Sequence, residues 1–427
     1  MNVAGVVFAI MIGLMIFNVP IAICTGLAAL AGVAVAGGLP LMIMVQRMLT
    51  GLDTFTLIAV PLFILMGRFM ALGGATRDLI NVSKVLVGFL KGGLAYINIV
   101  ASMLFAGMTG SAAADTSSIG AILIPTMTEK GYDKDFSVAV TATSSTIGIM
   151  IPPSIPLVVY GVASNASIGK LFLGGIIPGI MTGVALLIVS AVISNRRDYP
   201  REEKVSLKKA LITIAKGIPA MMTVLIIVVG FRGGFFTPTE AAGIAALYSF
   251  LLGTFYYKEI KIRQFPRILL EAAITTGQVA LMIATASALA WLFARQNVPA
   301  AIGGFLTGIT TNRIILLLLI NLWLLFVGTW MDLSPAVIIF TPILLPIAIA
   351  CGIDPVHFGV IMVVNLGIGL CTPPVGVCLF IGCGIAKTTI TSVVRAFIPF
   401  LLAMVLVLIL LSYIPGLVMF LPNLLMR

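Results

Sequence analysis

The sequence predicts an all-α polytopic membrane protein made of two inverted repeats, each with a re-entrant helical hairpin and a Pro-Pro-broken helix. Three observations carry this reading. Apolar stretches of membrane-spanning length run through the chain, the chain repeats itself at a shift of 221 residues, and both halves break their helices at matching places.

The 427 residues are 60% hydrophobic and 9% charged, with a mean hydropathy of +1.21. A transmembrane helix needs about 20 mostly apolar residues, and a β-barrel would alternate polar and apolar positions, which this chain does not. The opening "MNVAGVVFAIMIGLMIF" has neither a basic n-region nor a small-residue cleavage site, so a retained first span is expected. Forty-three glycines suit close helix packing. A net charge of +11 could suit nucleic acid, but the basic residues gather in "NRRDYPREEKVSLKKA" (Asn195–Ala210) and "YYKEIKIRQFPR" (Tyr256–Arg267). Positive-inside bias accounts for that pattern, with a lipid bilayer and no nucleic acid as partner. Both connectors are then cytoplasmic, "GGFFTPTEA" (Gly233–Ala241) lies outside, and Met1–Gln46, free of Lys and Arg, starts outside.

At a shift of 221, Pro152 and Pro153 fall on Pro373 and Pro374, and Leu104, Phe105 and Gly107 on Leu325, Phe326 and Gly328. Pro125, Gly131 and Asp133 meet Pro346, Gly352 and Asp354, and Gly148, Gly161 and Pro178 meet Gly369, Gly382 and Pro399. A shift of 217 brings "GLAAL" at Gly26 onto "GIAAL" at Gly243. The halves are residues 1–215 and 216–427. An outside start with an inside connector gives the first half an odd number of crossings, which inverts the second. Inverted repeats with interrupted helices point to a secondary transporter with its site at mid-membrane.

Within the first half a hairpin is expected near 94–128, tipped by "FAGMTGSAAADTSSIGAILIP", and a broken helix near 135–164. In the second half the hairpin is expected near 313–350, tipped by "FVGTWMDLSPAVIIFTPILLP", and the broken helix near 355–386. Consecutive prolines cannot continue a helix, and irregular backbone at membrane depth is tolerated only in protein or along a wet cavity. Freed carbonyls and hydroxyls form oxygen cages suited to a small hard cation, while helix N-termini favour anions. The candidate Na⁺ ligands of the first half are Thr109, Ser111, Asp115, Ser144, Ser145 and Gly148, with Thr116 and Thr146 beside them. Those of the second are Thr329, Asp332, Ser334, Asn365, Gly369 and Thr372. Two or more Na⁺ ions, at least one per half, are expected.

Asp115 and Asp332 lie within apolar segments, where an ionisable group reads as functional, for an ion or a substrate. Asp133 and Asp354 read as N-caps. Arg295 ends the apolar run from Ala272; it either lines the interface opposite Arg267 or meets a substrate carboxylate. Arg68 and Arg47 are weaker candidates for that contact. Glu240 is expected in the first turn of a helix after Pro238, and His357, the one histidine, to be packed or hydrogen-bonded. Cys24, Cys351, Cys371, Cys378 and Cys383 lack CxxC spacing and read as packing residues.

"GLDTFTLIAVPLFILMG" (Gly51–Gly67), "GSAAADTSSIG" (Gly110–Gly120), "IPPSIPLVVYG" (Ile151–Gly161) and "GGFFTPTEAAGIAALY" (Gly233–Tyr248) resemble stretches of the large membrane subunit of TRAP transporters, in the same order. The resemblance covers essentially the whole chain. It implies a carrier of the ion-transporter superfamily in a bacterial inner membrane, with a transport domain sliding as an elevator in a scaffold. It further implies Na⁺-coupled uptake of a carboxylate, with sialic acid favoured over C4-dicarboxylates and other organic acids. Its expected partners are a separate small four-helix membrane subunit, since a fused one would precede residue 1, and a periplasmic substrate-binding protein. Its functional regions fall on Ser111, Asp115, Arg295 and Asp332 as substrate-binding candidates. An ion channel, or a superfamily carrier that works without a binding protein, is the alternative. With no HExxH and no nucleophile–base pair, an enzyme is not expected.

Overall fold

The computed structural model describes residues 3–17, 19–232, 236–309 and 312–426. Gly233 and Gly234, in the turn expected to face outside, lie outside the described residues. Those described form twenty α-helices and no strand. The first five are α1 (Val3–Ile16), α2 (Ile21–Ala36), α3 (Met42–Leu52), α4 (Ala59–Leu72) and α5 (Ala75–Val87). The first hairpin is α6 (Gly93–Thr109) and α7 (Ala112–Glu129), and the first broken helix is α8 (Lys134–Ser144) and α9 (Ile155–Ser164). Then come α10 (Ile168–Arg196), α11 (Leu207–Arg232), α12 (Pro238–Leu251), α13 (Phe265–Arg295) and α14 (Val298–Ile309). The second hairpin is α15 (Arg313–Gly328) and α16 (Leu333–Ala350), followed by α17 (Pro355–Gly369), α18 (Val377–Ala386), α19 (Ile390–Tyr413) and α20 (Pro415–Leu425). Shifting α7 by 221 residues gives the bounds of α16.

Six helical stretches are long and apolar enough to cross a membrane, among them α10, α13 and α19. The opening helix is not one of them. α1 has 14 residues, about 21 Å against a hydrocarbon core of about 30 Å. It forms a short pair with α2, where Gly32 leaves room for Val3 and Val7. The breaks follow local chemistry. Gly110 takes φ +61° at the first tip, and the Pro152–Pro153 and Pro373–Pro374 bonds are both cis. Thr237 and Glu240 close a capping box over α12, with Pro238 as its first residue. Asp354 caps α17, accepting from Val356 N at 2.7 Å and His357 N at 3.3 Å. Asp133 stands at the cap position of α8 but makes no cap bond. Its carboxylate accepts from Arg197 at 2.7 Å and Tyr199 at 2.6 Å instead, because a charge-assisted donor outcompetes a neutral N–H.

The helices sort into two groups. α2, α3 and α4 pack on α13, with α12 on α4 and α1 on α2. Around the hairpins, α8 packs on α19, α7 on α18, α15 on α17, and α10 on α19 and α20. Gly92 N donates to Pro200 O, so α6 begins beside the connector after α10. Arg77 of α5 pairs with Glu259, just ahead of α13. The 31 residues of α13 run about 46 Å, and α14 leads from its end towards the second hairpin. His357 Nε2 bonds Leu411 O at 2.8 Å, as a packed histidine should.

Glu202 fastens the connector. Its side chain is 7% exposed and meets Lys84 of α5 at 2.8 Å and Lys130 at the end of α7. Burial pushes its carboxyl up, but the bonds from Lys130 and Lys84 outweigh this and hold it below the usual range. A carboxyl lowered in the folded state contributes stability above its ordinary pKa, and this is lost as pH falls through the lowered value. Glu202→Gln is therefore expected to lower the thermal midpoint at pH 7, with the gap to wild type closing under acid. A constant gap across pH would show that Glu202 acts through packing alone.

Candidate functional site

In the first half, the tip of the α6–α7 hairpin lies against the break between α8 and α9. Gly110 packs on the Pro153 carbonyl, and Gly148 sits beside the Ser111 carbonyl and the Asp115 side chain. Asp115, in the first turn of α7, is fully buried, and neither carboxylate oxygen accepts a hydrogen bond. The Ser102 and Ser145 side chains face it. Behind them runs a buried polar ladder: Ser102 donates to Ser144 at 3.1 Å, Ser144 to Asn98 at 3.2 Å, and Asn98 to Thr141 at 2.6 Å. Ser145 donates to the Thr141 carbonyl at 2.8 Å. Thr109 faces Gly67 of α4, and its buried hydroxyl has no partner. Thr116 and Thr146 bond back within their own turns.

The second half repeats the packing with other groups. Gly328 and Gly369 bring the backbones of α15 and α17 into contact, and Val375 N donates to Thr329 O at 3.2 Å. Asn365 donates to the backbone and side-chain oxygens of Asn321 at 3.0 and 2.9 Å, leaving its own buried oxygen without a donor. Thr329 and Thr372 spend their hydroxyls on Phe326 and Ile368 carbonyls. The correspondence stops at the carboxylates. The 221-residue shift carries Asp115 to Ala336, and Asp332 back to Ser111.

Asp332 is not enclosed like Asp115. With Ser334 and Ser111 it lines a cavity of about 390 Å³ between the two hairpin tips and α13. Four helices begin at that cavity. Ala112 and Ala113 of α7, Ile155 and Pro156 of α9, Leu333 and Ser334 of α16, and Val377 and Cys378 of α18 all line it. Each N-terminus carries about half a positive charge, and together they suit an anion. Thr275, Gln278 and Met282 of α13 and Ile64 of α4 form the opposite wall.

Arg295 is not part of this site. It is exposed at the end of α13, about 26 Å along the axis from Gln278, with its guanidinium 5.8 Å from the Trp291 ring centre. Arg47 stacks on the same ring at 5.1 Å. Asn98, Asn321, Ser102 and Gln278 were missed in the sequence; a lone amide in an apolar helix is the signal that could have found the two asparagines. The five cysteines are free, and four of them are buried. Among the described residues no three His, Cys, Asp or Glu side chains converge. The donors present are hydroxyls, amides, carbonyls and a carboxylate, which fit a hard cation rather than a soft one.

Paired hairpins, paired broken helices and a polar centre between them define a polytopic membrane permease. The family model of the DctM component of the tripartite ATP-independent periplasmic transporter matches residues 8–417, and the chain belongs to that family. It is 44% identical to YgiK of Salmonella typhimurium, covering 95% of this chain and 94% of that one. It is 43% identical to the isethionate TRAP transporter permease protein DctMQ of Oleidesulfovibrio alaskensis, covering 95% of this chain and 64% of that longer one. To the sialic acid TRAP transporter large permease protein SiaM of Vibrio cholerae it is 39% identical over 97% of both chains. The crystal structure of the Alcanivorax borkumensis YdaH transporter shares the fold, with a TM-score of 0.65 at 12% identity over 88% of this chain and 89% of that one.

Proposed function

We propose that this chain is the large permease of a Na⁺-coupled importer of a small organic anion, working by alternating access as an elevator. The hairpins, broken helices and α10, α19 and α20 form the moving body. α1–α5 and α11–α14 form the scaffold, and the two halves are inverted repeats. The observation that carries the reading is the convergence of four helix N-termini on one cavity. The orphaned oxygens of Asp115 and Asn365 fit it, since each needs a cation or proton once removed from water. We read Na⁺ there, with Ser145 and the Ser111 carbonyl beside Asp115 and the Gly369 turn beside Asn365.

The substrate is a carboxylate, with sialic acid favoured; one relative is named for sialic acid and another for isethionate, a sulfonate. A small membrane subunit and a periplasmic binding protein complete the system in a bacterial inner membrane, the basic end of the molecule facing the cytoplasm. Counterflow in liposomes containing the complete system tests this. Exchange of labelled N-acetylneuraminate or succinate should saturate and should require Na⁺. Flux that neither saturates nor depends on Na⁺ would instead make the protein a channel.

A further inference from the structure

Among the described residues, none that lines the cavity carries a full positive charge. Its lining residues include Asp332 but no lysine, arginine or histidine, and partial charges at helix ends are screened where water enters. An arginine stands one helical turn from that lining. Arg68 lies one helical turn beyond Ile64 on α4, and Glu271 one turn before Thr275 on α13. Ile64 and Thr275 both line the cavity. Arg68 Nη1 meets Glu271 Oε2 at 3.2 Å.

We propose that Arg68, on the scaffold side of the cavity, is the cation that meets the substrate's anionic group in this state of the carrier, and that Glu271 occupies it as an internal substitute when no substrate is bound. A turn of helix is about 5.4 Å, within the swing of an arginine side chain. The resident pair is easily exchanged, because its side chains are 42% and 34% exposed and such pairs contribute little. Only one guanidinium nitrogen is engaged, whereas a free carboxylate or sulfonate can accept from two in the planar fork. Releasing Arg68 leaves no orphaned carboxylate. Glu271 keeps Arg267, whose Nε donates to its other oxygen at 2.9 Å. Arg295 and Arg47, stacked on Trp291, are too far along α13 to take this part.

The inference rests on the anion reading of the cavity and can fail separately from it. The test compares Arg68→Gln, Arg68→Lys and Glu271→Gln in the complete system. The readouts are uptake kinetics in liposomes and the thermal shift of the purified protein with N-acetylneuraminate, succinate or isethionate. Loss of a charge-assisted contact predicts a KM about tenfold higher or more for Arg68→Gln, with kcat within about twofold. Arg68→Lys should recover part of the loss. Removing the competitor should move Glu271→Gln the other way, to a lower KM and a larger shift at a given ligand concentration. An ion pair that only braces α4 against α13 would move Arg68→Gln and Glu271→Gln in the same direction, and that result overturns the inference. If Arg68→Gln does not fold, the direction of Glu271→Gln decides alone. A wild type that binds an acid but shows no Na⁺-dependent exchange overturns the transport reading, while the thermal shifts still test Arg68.

Discussion

Asp115→Asn is expected to weaken Na⁺ binding about 100-fold, ~2.7 kcal/mol, and to cut Na⁺-driven uptake to a comparable degree. The carboxylate is fully buried and neither oxygen has a donor. Moving such a charge out of water costs several kcal/mol unless an opposite charge shares the site. In wild type, then, a ligand that binds only the folded protein should raise the thermal midpoint, so NaCl should stabilise and KCl should not. In Asp115→Asn the demand for a cation is gone. The variant should be at least as stable as wild type without Na⁺, and Na⁺ should add little. Were Asp115→Asn to keep the full Na⁺-dependent rise, the cation would be held elsewhere, with Asn365 and the Gly369 turn the next place to look.

Gly369→Ala should be equally damaging for a different reason. A Cβ there would lie 2.4 Å from the carbonyl carbon of Gly328 and 2.5 Å from its Cα. Both obstacles are backbone, so no side chain can turn aside. Overpacking of this kind costs about 1–3 kcal/mol or more, and it would pry α15 from α17 next to the proposed second cation site. We expect a folded yield well below wild type and no measurable counterflow from what remains. Gly384→Ala, in α18 with nothing within 4 Å of the added carbon, is the control and should match wild type or slightly exceed it, since alanine suits a helix interior better. Equal behaviour of the two variants would mean that the contact yields, and that close packing here is not required.

The hairpins were legible because their punctuation is local. The tips at Gly110 and Asp332 and the paired prolines mark chain breaks wherever the chain goes, and helices end or begin beside each of them. What could not be read was distance between elements. Asp115 and Asp332 look alike in sequence, each a lone acid in an apolar stretch. One is sealed beneath the first tip and the other faces a cavity, because they stand at different steps of their helices. Arg295 read as either an interfacial residue or a partner for substrate because it ends an apolar run; the length of α13 carries it far from the tips. Asp133 read as a cap, and a connector more than sixty residues away supplies Arg197 to claim it. Asn98 and Asn321 gave a weak signal on their own, and their meaning came from Ser144 and Asn365, which the fold brings beside them.

If the two halves are inverted repeats, as proposed, turning the molecule over exchanges one half for the other. A carrier built that way could expose its cavity on either side by one motion run in two senses. For the proposed Na⁺-coupled carrier, the gradients across the membrane would then set the direction of net flow. What asymmetry survives is chemical: a carboxylate at Asp115 with only Ala336 opposite it. Any preference for import over export that outlasts equal gradients has to be written in differences of that kind.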